Sequence, residues 1–109
     1  MYRVDTTEAA EKDILDAAKY IAIDLRNPSA ADRLLTDVTE AILSLEEMPS
    51  RHAMVKDEFL ASLGFRFFPV HNYIVFYIVR EETKSVVVER FLYGRRDWAA
   101  ILKSEGPLS

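Results

Sequence analysis

The stretch from residue 64 to residue 98 constrains the fold most, because it holds three short apolar runs separated by two polar breaks. The runs are rich in Val, Ile, Phe and Tyr, and the breaks fall at residues 71–72 and 80–85. Runs of this kind between turn residues are typical of sequential β-strands, which pair antiparallel. The sequence therefore predicts a small three-stranded antiparallel sheet. Its middle run, residues 73–79, is apolar on both faces like a central strand, and Pro69 indicates an edge or a bulge at the far end of the first run.

Two amphipathic segments precede the predicted sheet. The first is predicted to be a helix over residues 8–25, with Thr6 or Thr7 as its N-cap. The second begins with Asn27 as N-cap and Pro28 in the first turn, and it ends at Pro49. Apolar side chains recur at helical spacing in both, at Ile14, Ala18, Ile21, Ala22 and Leu25 and then at Ala31, Leu34, Leu35, Val38, Ala41, Ile42, Leu45 and Met48.

The link between these two helices is only two to three residues long, which indicates an antiparallel helix hairpin. Each helix has one apolar face, so both faces must pack against each other and against the sheet. The opposite face of the first helix carries charged side chains that the amphipathic pattern predicts to be solvated: Lys12, Asp13, Asp16, Lys19 and Asp24.

Together these elements predict an α+β fold in a single domain over residues 1–109. A short N-terminal strand at residues 2–5 precedes the hairpin, and a short C-terminal helix follows the sheet from residue 97. We expect Trp98 to anchor this last segment onto the helices. Residues 49–63 form the long connection, and a loop of this length is either functional or poorly ordered.

The net charge of −4 is distributed unevenly. Residues 1–58 carry 13 acidic and 7 basic side chains, whereas residues 59–109 carry 5 acidic and 7 basic ones. This asymmetry indicates one surface for an anionic partner on an otherwise acidic protein, whereas a general nucleic-acid binder would be far more basic. The sequence has no cysteine, no metal or cofactor motif and no apolar signal segment. We therefore expect a cytoplasmic protein that needs no cofactor and enters no membrane.

Arginines are the strongest candidate functional residues. Arg66, Arg95 and Arg96 have the guanidinium chemistry that clamps phosphates or stabilises an oxyanion, and the same groups form salt bridges with acidic helices. The residue type leaves both roles open. His71 is a candidate general base, although it lies in a predicted turn without an acidic partner nearby in sequence. Tyr93 is a candidate contact residue because it adjoins Gly-Arg-Arg.

Two further residues have simpler explanations than catalysis. Glu89 is a candidate base, but cross-strand pairing with Arg66 or Arg80 accounts for it. His52 lies far from His71 in sequence, and two histidines without cysteines do not make a metal site.

Three segments resemble a known family: Gly-x-Arg at residues 64–66, Asn-Tyr-Ile-Val-Phe-Tyr at residues 72–77 and Tyr-Gly-Arg-Arg at residues 93–96. They resemble the C-terminal half of the RelE/ParE toxins of bacterial type II toxin–antitoxin systems, and the order of elements matches that family along nearly the whole chain. The resemblance implies a growth-arresting toxin that a cognate antitoxin neutralises. Such a pair usually represses its own operon, so contact with operator DNA would be made through the antitoxin.

The family divides by target. In its ribosome-dependent mRNA endonucleases, the resemblance assigns stabilisation of the cleaved phosphate to Arg66 and Arg96, with Lys56, His71 or Tyr93 as weaker candidates for proton transfer. Those enzymes usually carry a Tyr or His in the final segment, and residues 97–102 contain neither. The incomplete acid–base set and the sequence pI of about 5.2 favour the ParE branch, which is understood to inhibit DNA gyrase without cleaving nucleic acid.

On this interpretation the target-binding residues are Arg66, Tyr93, Arg95 and Arg96, and the partners are a cognate antitoxin and DNA gyrase. Two alternatives stay open at this point. One is an mRNA interferase that acts on the translating ribosome. The other is a non-toxic member of the family that retains only antitoxin binding.

Overall fold

The computed structural model describes residues 1–105 and has an α+β architecture. Four strands form one sheet: β1 (Arg3–Thr6), β2 (Phe65–Val70), β3 (Tyr73–Arg80) and β4 (Ser85–Tyr93). The helices are α1 (Glu8–Lys19), α2 (Pro28–Leu43), α3 (Glu58–Ser62) and α4 (Trp98–Glu105). A π-helical turn, Tyr20–Asp24, extends α1. Within the described residues, no helix is both long and apolar enough to cross a bilayer.

The strands lie in the order β1-β4-β3-β2. β2, β3 and β4 pair antiparallel, as the sequence predicts, and β3 is a central strand. β1 pairs parallel with β4, so the sheet is mixed. Parallel neighbours need a long connection, and here the helix hairpin and the other two strands lie between β1 and β4 in sequence.

The helix hairpin covers one face of the sheet, and both predicted N-caps are present. The Thr7 hydroxyl accepts a hydrogen bond from the Ala10 N–H at 3.0 Å, and the Asn27 side chain accepts one from the Ala30 N–H at 3.2 Å. Buried side chains from both helices and from β2, β3 and β4 form the core beneath the hairpin: Ala10, Ala17, Leu34, Val38, Leu45, Phe68, Val70, Val75, Tyr77, Val86, Val88 and Phe91.

The prediction that the last apolar residues of the two helices face the core is wrong. Leu25 is 55% exposed, because α1 widens into the π-helical turn, which rotates the residues that follow out of the α-helical register. Met48 is 74% exposed, because α2 ends at Leu43 and Met48 has a left-handed conformation with φ of 49°. Of the two predicted apolar positions that follow α2, Leu45 and Met48, only Leu45 is buried.

The opposite face of the sheet is covered by α3 and α4, where a second core forms from Val55, Leu60, Phe65, Phe76, Ile78, Leu92 and Leu102. The Trp98 ring packs 5.2 Å from the Phe76 ring between centroids. Trp98 therefore anchors α4 to the sheet, and the expectation that it packs onto the helix hairpin is wrong, because the hairpin occupies the other face. The Lys103 ammonium also contacts the Asp57 carboxylate at 2.7 Å, which joins α4 to the start of α3.

The edges of the sheet are protected unequally. Along β2, the Val55 N–H donates to the Phe65 carbonyl and the Phe67 N–H donates to the Ala53 carbonyl, so residues 53–55 cover this edge. β1 is a short edge strand. Coverage, charge and short length are the usual protections of edge strands. The outer side of β4 is different: β1 ends at Thr6, which pairs with Val88, and no other described strand covers the rest of β4 on this side.

Arg26 provides a test of the hairpin connection. It has φ of 52°, and Asn27 beside it donates its N–H to the Ile21 carbonyl. Because a left-handed conformation is unfavourable for a residue with a Cβ atom, we expect Arg26→Gly to raise the free energy of unfolding by about 0.5–1 kcal/mol. Arg33→Gly within α2 is the matched control and should lower it by about 1 kcal/mol. Urea denaturation measures both, and a destabilised Arg26→Gly protein would contradict the prediction.

Candidate functional site

The predicted arginines fall in two separate regions. Arg95 and Arg96 are exposed directly after β4 and lie beside Tyr93 at its end. Arg66 lies on β2 opposite Tyr77, whereas Tyr93 lies opposite Tyr73. This offset of four residues along β3 corresponds to about 13 Å. The fold therefore gathers Tyr93, Arg95 and Arg96 at one corner of the sheet and leaves Arg66 farther along it.

A groove of about 780 Å³ opens beside this corner, between the C-terminal part of α1 and the ends of β3 and β4. Its helix side includes Ala17, Tyr20 and Ile21, and its sheet side includes Tyr73, Phe91 and Tyr93. We call it the tyrosine groove. It lies along the part of β4 that β1 does not cover, and the π-helical turn supplies Tyr20 and Ile21 to its helix side.

Aromatic packing fixes the sheet side of the tyrosine groove. The Tyr73 ring stacks on Phe91 with centroids 5.0 Å apart, and it meets the Tyr93 ring edge-on at 5.7 Å. Burial raises the pKa of Tyr73, and the neighbouring Tyr20 and Tyr93 raise it further. Among the described residues, the hydroxyls of Tyr20, Tyr73 and Tyr93 have no hydrogen-bond partner. The groove therefore presents rigid aromatic surface together with free hydrogen-bonding groups.

The charges along the tyrosine groove are mostly neutralised within the protein. Asp16 forms an exposed pair with Lys12 at 2.8 Å, and Asp13 pairs with Arg90. Arg96 lines the groove, is exposed, and contacts no acidic side chain within residues 1–104. Tyr and Arg are the residues that most often dominate the binding energy of protein interfaces. The composition of the groove therefore suits a protein or peptide partner that offers apolar side chains and an acidic group near Arg96.

Asp13 lies where the groove begins, and the prediction that it belongs to a solvated helix face is wrong. Its carboxylate accepts hydrogen bonds from Arg90 Nε at 2.6 Å, from Arg90 Nη2 at 2.8 Å and from the Phe91 N–H at 3.0 Å. The two side chains are only 12% and 16% exposed. The helical pattern did not reveal this pair, because its members are far apart in sequence and the residue type alone indicates exposure.

Arg66 forms a different contact. Its guanidinium donates to the His52 carbonyl at 2.6 Å, and its strand is bridged by Met54, so Arg66 helps to hold the long connection against β2. The His52 ring stacks on Phe68 with centroids 4.4 Å apart. Burial lowers the pKa of His52, and the charges of Arg51 and Arg66 lower it further. Arg66 therefore has at least one structural role, which the sequence analysis left open.

Tyr77 lies beneath this connection and donates its hydroxyl hydrogen bond to the Pro49 carbonyl. Burial raises the pKa of Tyr77 to about 12. The phenol is therefore a buried structural donor.

The remaining candidates for proton transfer are not assembled around either arginine region. His71 lies in the β2–β3 turn and contacts the Asp37 carboxylate of α2 at 2.6 Å, so it does have an acidic partner, one that is 34 residues away in sequence. Lys56 is exposed in the long connection. No contact among the described residues joins Lys56 or His71 to Arg66 or Arg96. Nor do the described side chains of residues 1–104 include three His, Asp or Glu groups placed to hold a metal ion.

Glu89 occupies a β-bulge. Val88 pairs with Tyr77 and Arg90 pairs with Phe76, so Glu89 is the extra residue of β4. Burial raises the pKa of its carboxyl, and the charge of Arg80 opposes this shift. The expected cross-strand salt bridge does not form with Arg66 or with Arg80, because the bulge removes Glu89 from the paired register.

Comparison with known proteins identifies the family. The chain matches the model described as ParE toxin of the type II toxin–antitoxin system parDE over residues 4–98. The chain belongs to the ParE toxin family. This confirms the resemblance that the sequence motifs indicated. A comparison with curated protein sequences gave no significant match.

Solved structures of ParE and RelE toxins share the fold. The chromosomal ParDE system from P. aeruginosa matches with a TM-score of 0.69 and 18% identity, over 85% of this chain and 96% of that chain. The RelBE2 complex from Mycobacterium tuberculosis matches with a TM-score of 0.61 and 22% identity, over 84% and 96%. The isolated RelE toxin from E. coli matches with a TM-score of 0.56 and 15% identity, over 97% and 100%. These similarities confirm the α+β fold class of this ParE family member.

Sequence reasoning missed several residues of the site. Tyr20 and Tyr73 were not candidates, because single tyrosines in a helix and a strand are normally structural. Asn72 was a predicted turn residue and part of a family segment, but it was not a site candidate; its carbonyl accepts the Gly94 N–H at 2.9 Å, just before Arg95 and Arg96. The polar break at residues 71–72 was the available signal for Tyr73. It places the start of β3 beside the end of β4, where Tyr73 pairs with Tyr93.

The His52 contact predicts a specific pH dependence. Because the folded-state pKa of His52 is below its usual value of 6.5, the unfolded chain binds the proton more readily. The free energy of unfolding should therefore fall as the pH drops through 6.5 toward the lower folded-state pKa. We expect His52→Phe, which keeps a ring on Phe68, to show a smaller loss of stability between about pH 7.5 and pH 5. Equal losses in the two proteins, measured by urea denaturation, would contradict this assignment.

Proposed function

We propose that this ParE family member is a growth-arresting toxin that acts by binding a target protein, with DNA gyrase favoured, and that a cognate antitoxin neutralises it. The observation that carries the proposal is the corner formed by Tyr93, Arg95 and Arg96 beside the tyrosine groove. This surface combines exposed guanidinium groups with packed aromatic rings and free hydroxyls, which is the composition of a protein-binding hot spot.

The placement of the candidate catalytic residues supports binding rather than RNA cleavage. Cleavage needs proton-transfer groups within hydrogen-bond reach of the reacting atoms. His71 is paired with Asp37, and Lys56 lies on the long connection. Arg66 pairs four residues farther along β3 than Tyr93, the last residue of β4 before Arg96. The acidic net charge of the chain also disfavours binding to ribosomal RNA.

The antitoxin is proposed from the relatives. The ParDE and RelBE2 structures are toxin–antitoxin systems by their descriptions, and their toxins share this fold. The tyrosine groove offers an unpaired stretch of β4 and apolar side chains, which are the features that accept an added strand or an amphipathic helix. Operator DNA would then be contacted through the antitoxin.

An mRNA interferase is the second candidate, because Arg66 and Arg96 match the positions of phosphate-binding arginines in that branch and the RelE toxin from E. coli shares the fold. A combined assay of DNA topology and protein synthesis distinguishes the two candidates.

Induced expression in a bacterial host tests the proposal. We expect wild type to arrest growth with altered DNA supercoiling while translation continues. Tyr93→Ala and Arg96→Ala should each raise the amount of protein needed for arrest by about tenfold or more, because they remove central interface side chains. Arg33→Ala, an exposed change on α2, is the control and should arrest growth like wild type.

Two outcomes would contradict the gyrase proposal. Arrest with immediate loss of translation and unchanged supercoiling would indicate the mRNA interferase. No arrest at any expression level would indicate a member that retains only antitoxin binding.

A further inference from the structure

The buried pair between α1 and β4 stands out because it connects the two sides of the tyrosine groove. One carboxylate, that of Asp13, accepts three hydrogen bonds, two of them from Arg90 and one from the Phe91 backbone. A guanidinium held through two nitrogen atoms has a fixed orientation, unlike an exposed single-point ion pair. This contact therefore fixes both the distance and the angle between the helix and the strand.

The pair satisfies part of β4 beyond the end of β1, where no described strand pairs with its outer side. β1 ends at Thr6, and its neighbour Thr7 makes the last contacts with β4, through its N–H to the Val88 carbonyl and its hydroxyl to the Glu89 carbonyl. The next outward backbone donor is the Phe91 N–H, and Asp13 accepts it. The extra residue of the bulge precedes Arg90, and bulges at strand edges redirect side chains in this way.

The pair also determines where the tyrosine groove begins. On α1, Ala17 and then Tyr20 and Ile21 follow Asp13 on the same side of the helix. On β4, Tyr93 follows Phe91 on the same side of the strand. The helix side of the groove therefore continues from Asp13, and the sheet side continues from the segment of β4 that carries Arg90. A change in its geometry alters the separation of Tyr20 from Tyr93 along the groove.

We propose that Asp13 and Arg90 are positioning residues for partner recognition, because their bidentate contact sets the width of the tyrosine groove. This inference rests on the proposed function, in which the groove and its corner bind the target. Arg90 does not line the groove. An effect of Arg90 on toxicity would thus arise through the geometry of the walls and not through contact with the partner.

Arg90→Lys is the principal test. Lysine keeps the positive charge but cannot form the two parallel hydrogen bonds to Asp13. Arg3→Lys is the matched control, because Arg3 also pairs with an aspartate, Asp5, but in an exposed contact on β1. Asp13→Asn serves as a second variant if Arg90→Lys does not give soluble protein. It keeps an acceptor for the Phe91 N–H and loses the charge.

The readout is growth arrest relative to the amount of soluble toxin, at a temperature at which circular dichroism shows each variant to be folded. Residues that act on a site without contacting the ligand typically change its affinity by about threefold to thirtyfold. We therefore expect Arg90→Lys to require about threefold to thirtyfold more toxin for arrest and Arg3→Lys to require the wild-type amount. Asp13→Glu combined with Arg90→Lys lengthens the acid to meet the shorter base and should recover part of the toxicity.

Amide exchange at Phe91 gives the second measurement, since Asp13 is the acceptor that protects this N–H. Faster exchange at Phe91 in Arg90→Lys together with reduced toxicity would support the inference. Faster exchange with wild-type toxicity per folded molecule would overturn it, because the pair would then stabilise the fold without shaping recognition. A wild-type protein that does not arrest growth would instead overturn the proposed function, and the inference with it.

Discussion

The structure depends on the difference in length between two neighbouring strands, β1 and β4. β1 has four residues and β4 has nine, so about half of β4 has no described strand on its outer side, opposite β3. An uncovered strand edge exposes backbone donors and acceptors, and proteins normally cover or charge such edges. Here α1 crosses the gap, and a single carboxylate from Asp13 satisfies the Phe91 N–H. The remaining space beyond this contact is the tyrosine groove. The proposed binding surface is thus a direct consequence of where the first strand ends.

The elements of this fold were predictable from sequence wherever a single periodicity extends over many residues. The 3.6-residue stripe of α2 and the apolar runs of β2, β3 and β4 gave the correct element types and order. The N-caps Thr7 and Asn27 were also predictable, because capping depends on a side chain and a backbone group three residues apart. The C-terminal ends of the helices were less predictable from the sequence. The π-helical turn after α1 has no pattern of its own, and it exposes Leu25.

The candidate site was only partly predictable, for a different reason. Tyr93, Arg95 and Arg96 adjoin in sequence, so their proximity follows from the chain itself. The partners that complete the site come from distant elements: Tyr20 from the helix hairpin, and Asp13, which contacts a residue 77 positions away. An aspartate on an amphipathic helix indicates solvent exposure unless its partner is known. The same limitation applies to His71, whose partner Asp37 lies on another element.

The distribution of charge explains how an acidic protein can present a cationic binding corner. The two acidic side chains that line the groove already have cationic partners, Asp13 with Arg90 and Asp16 with Lys12. Arg95 and Arg96 lie at the end of β4, in the half of the chain where basic residues exceed acidic ones. At physiological ionic strength, charges more than about 8 Å apart are largely screened at the surface. A partner that approaches this corner therefore meets the local guanidinium groups more strongly than the net charge of −4. The acidic composition disfavours a broad polyanion such as ribosomal RNA, yet it leaves a compact acidic protein surface as a suitable partner.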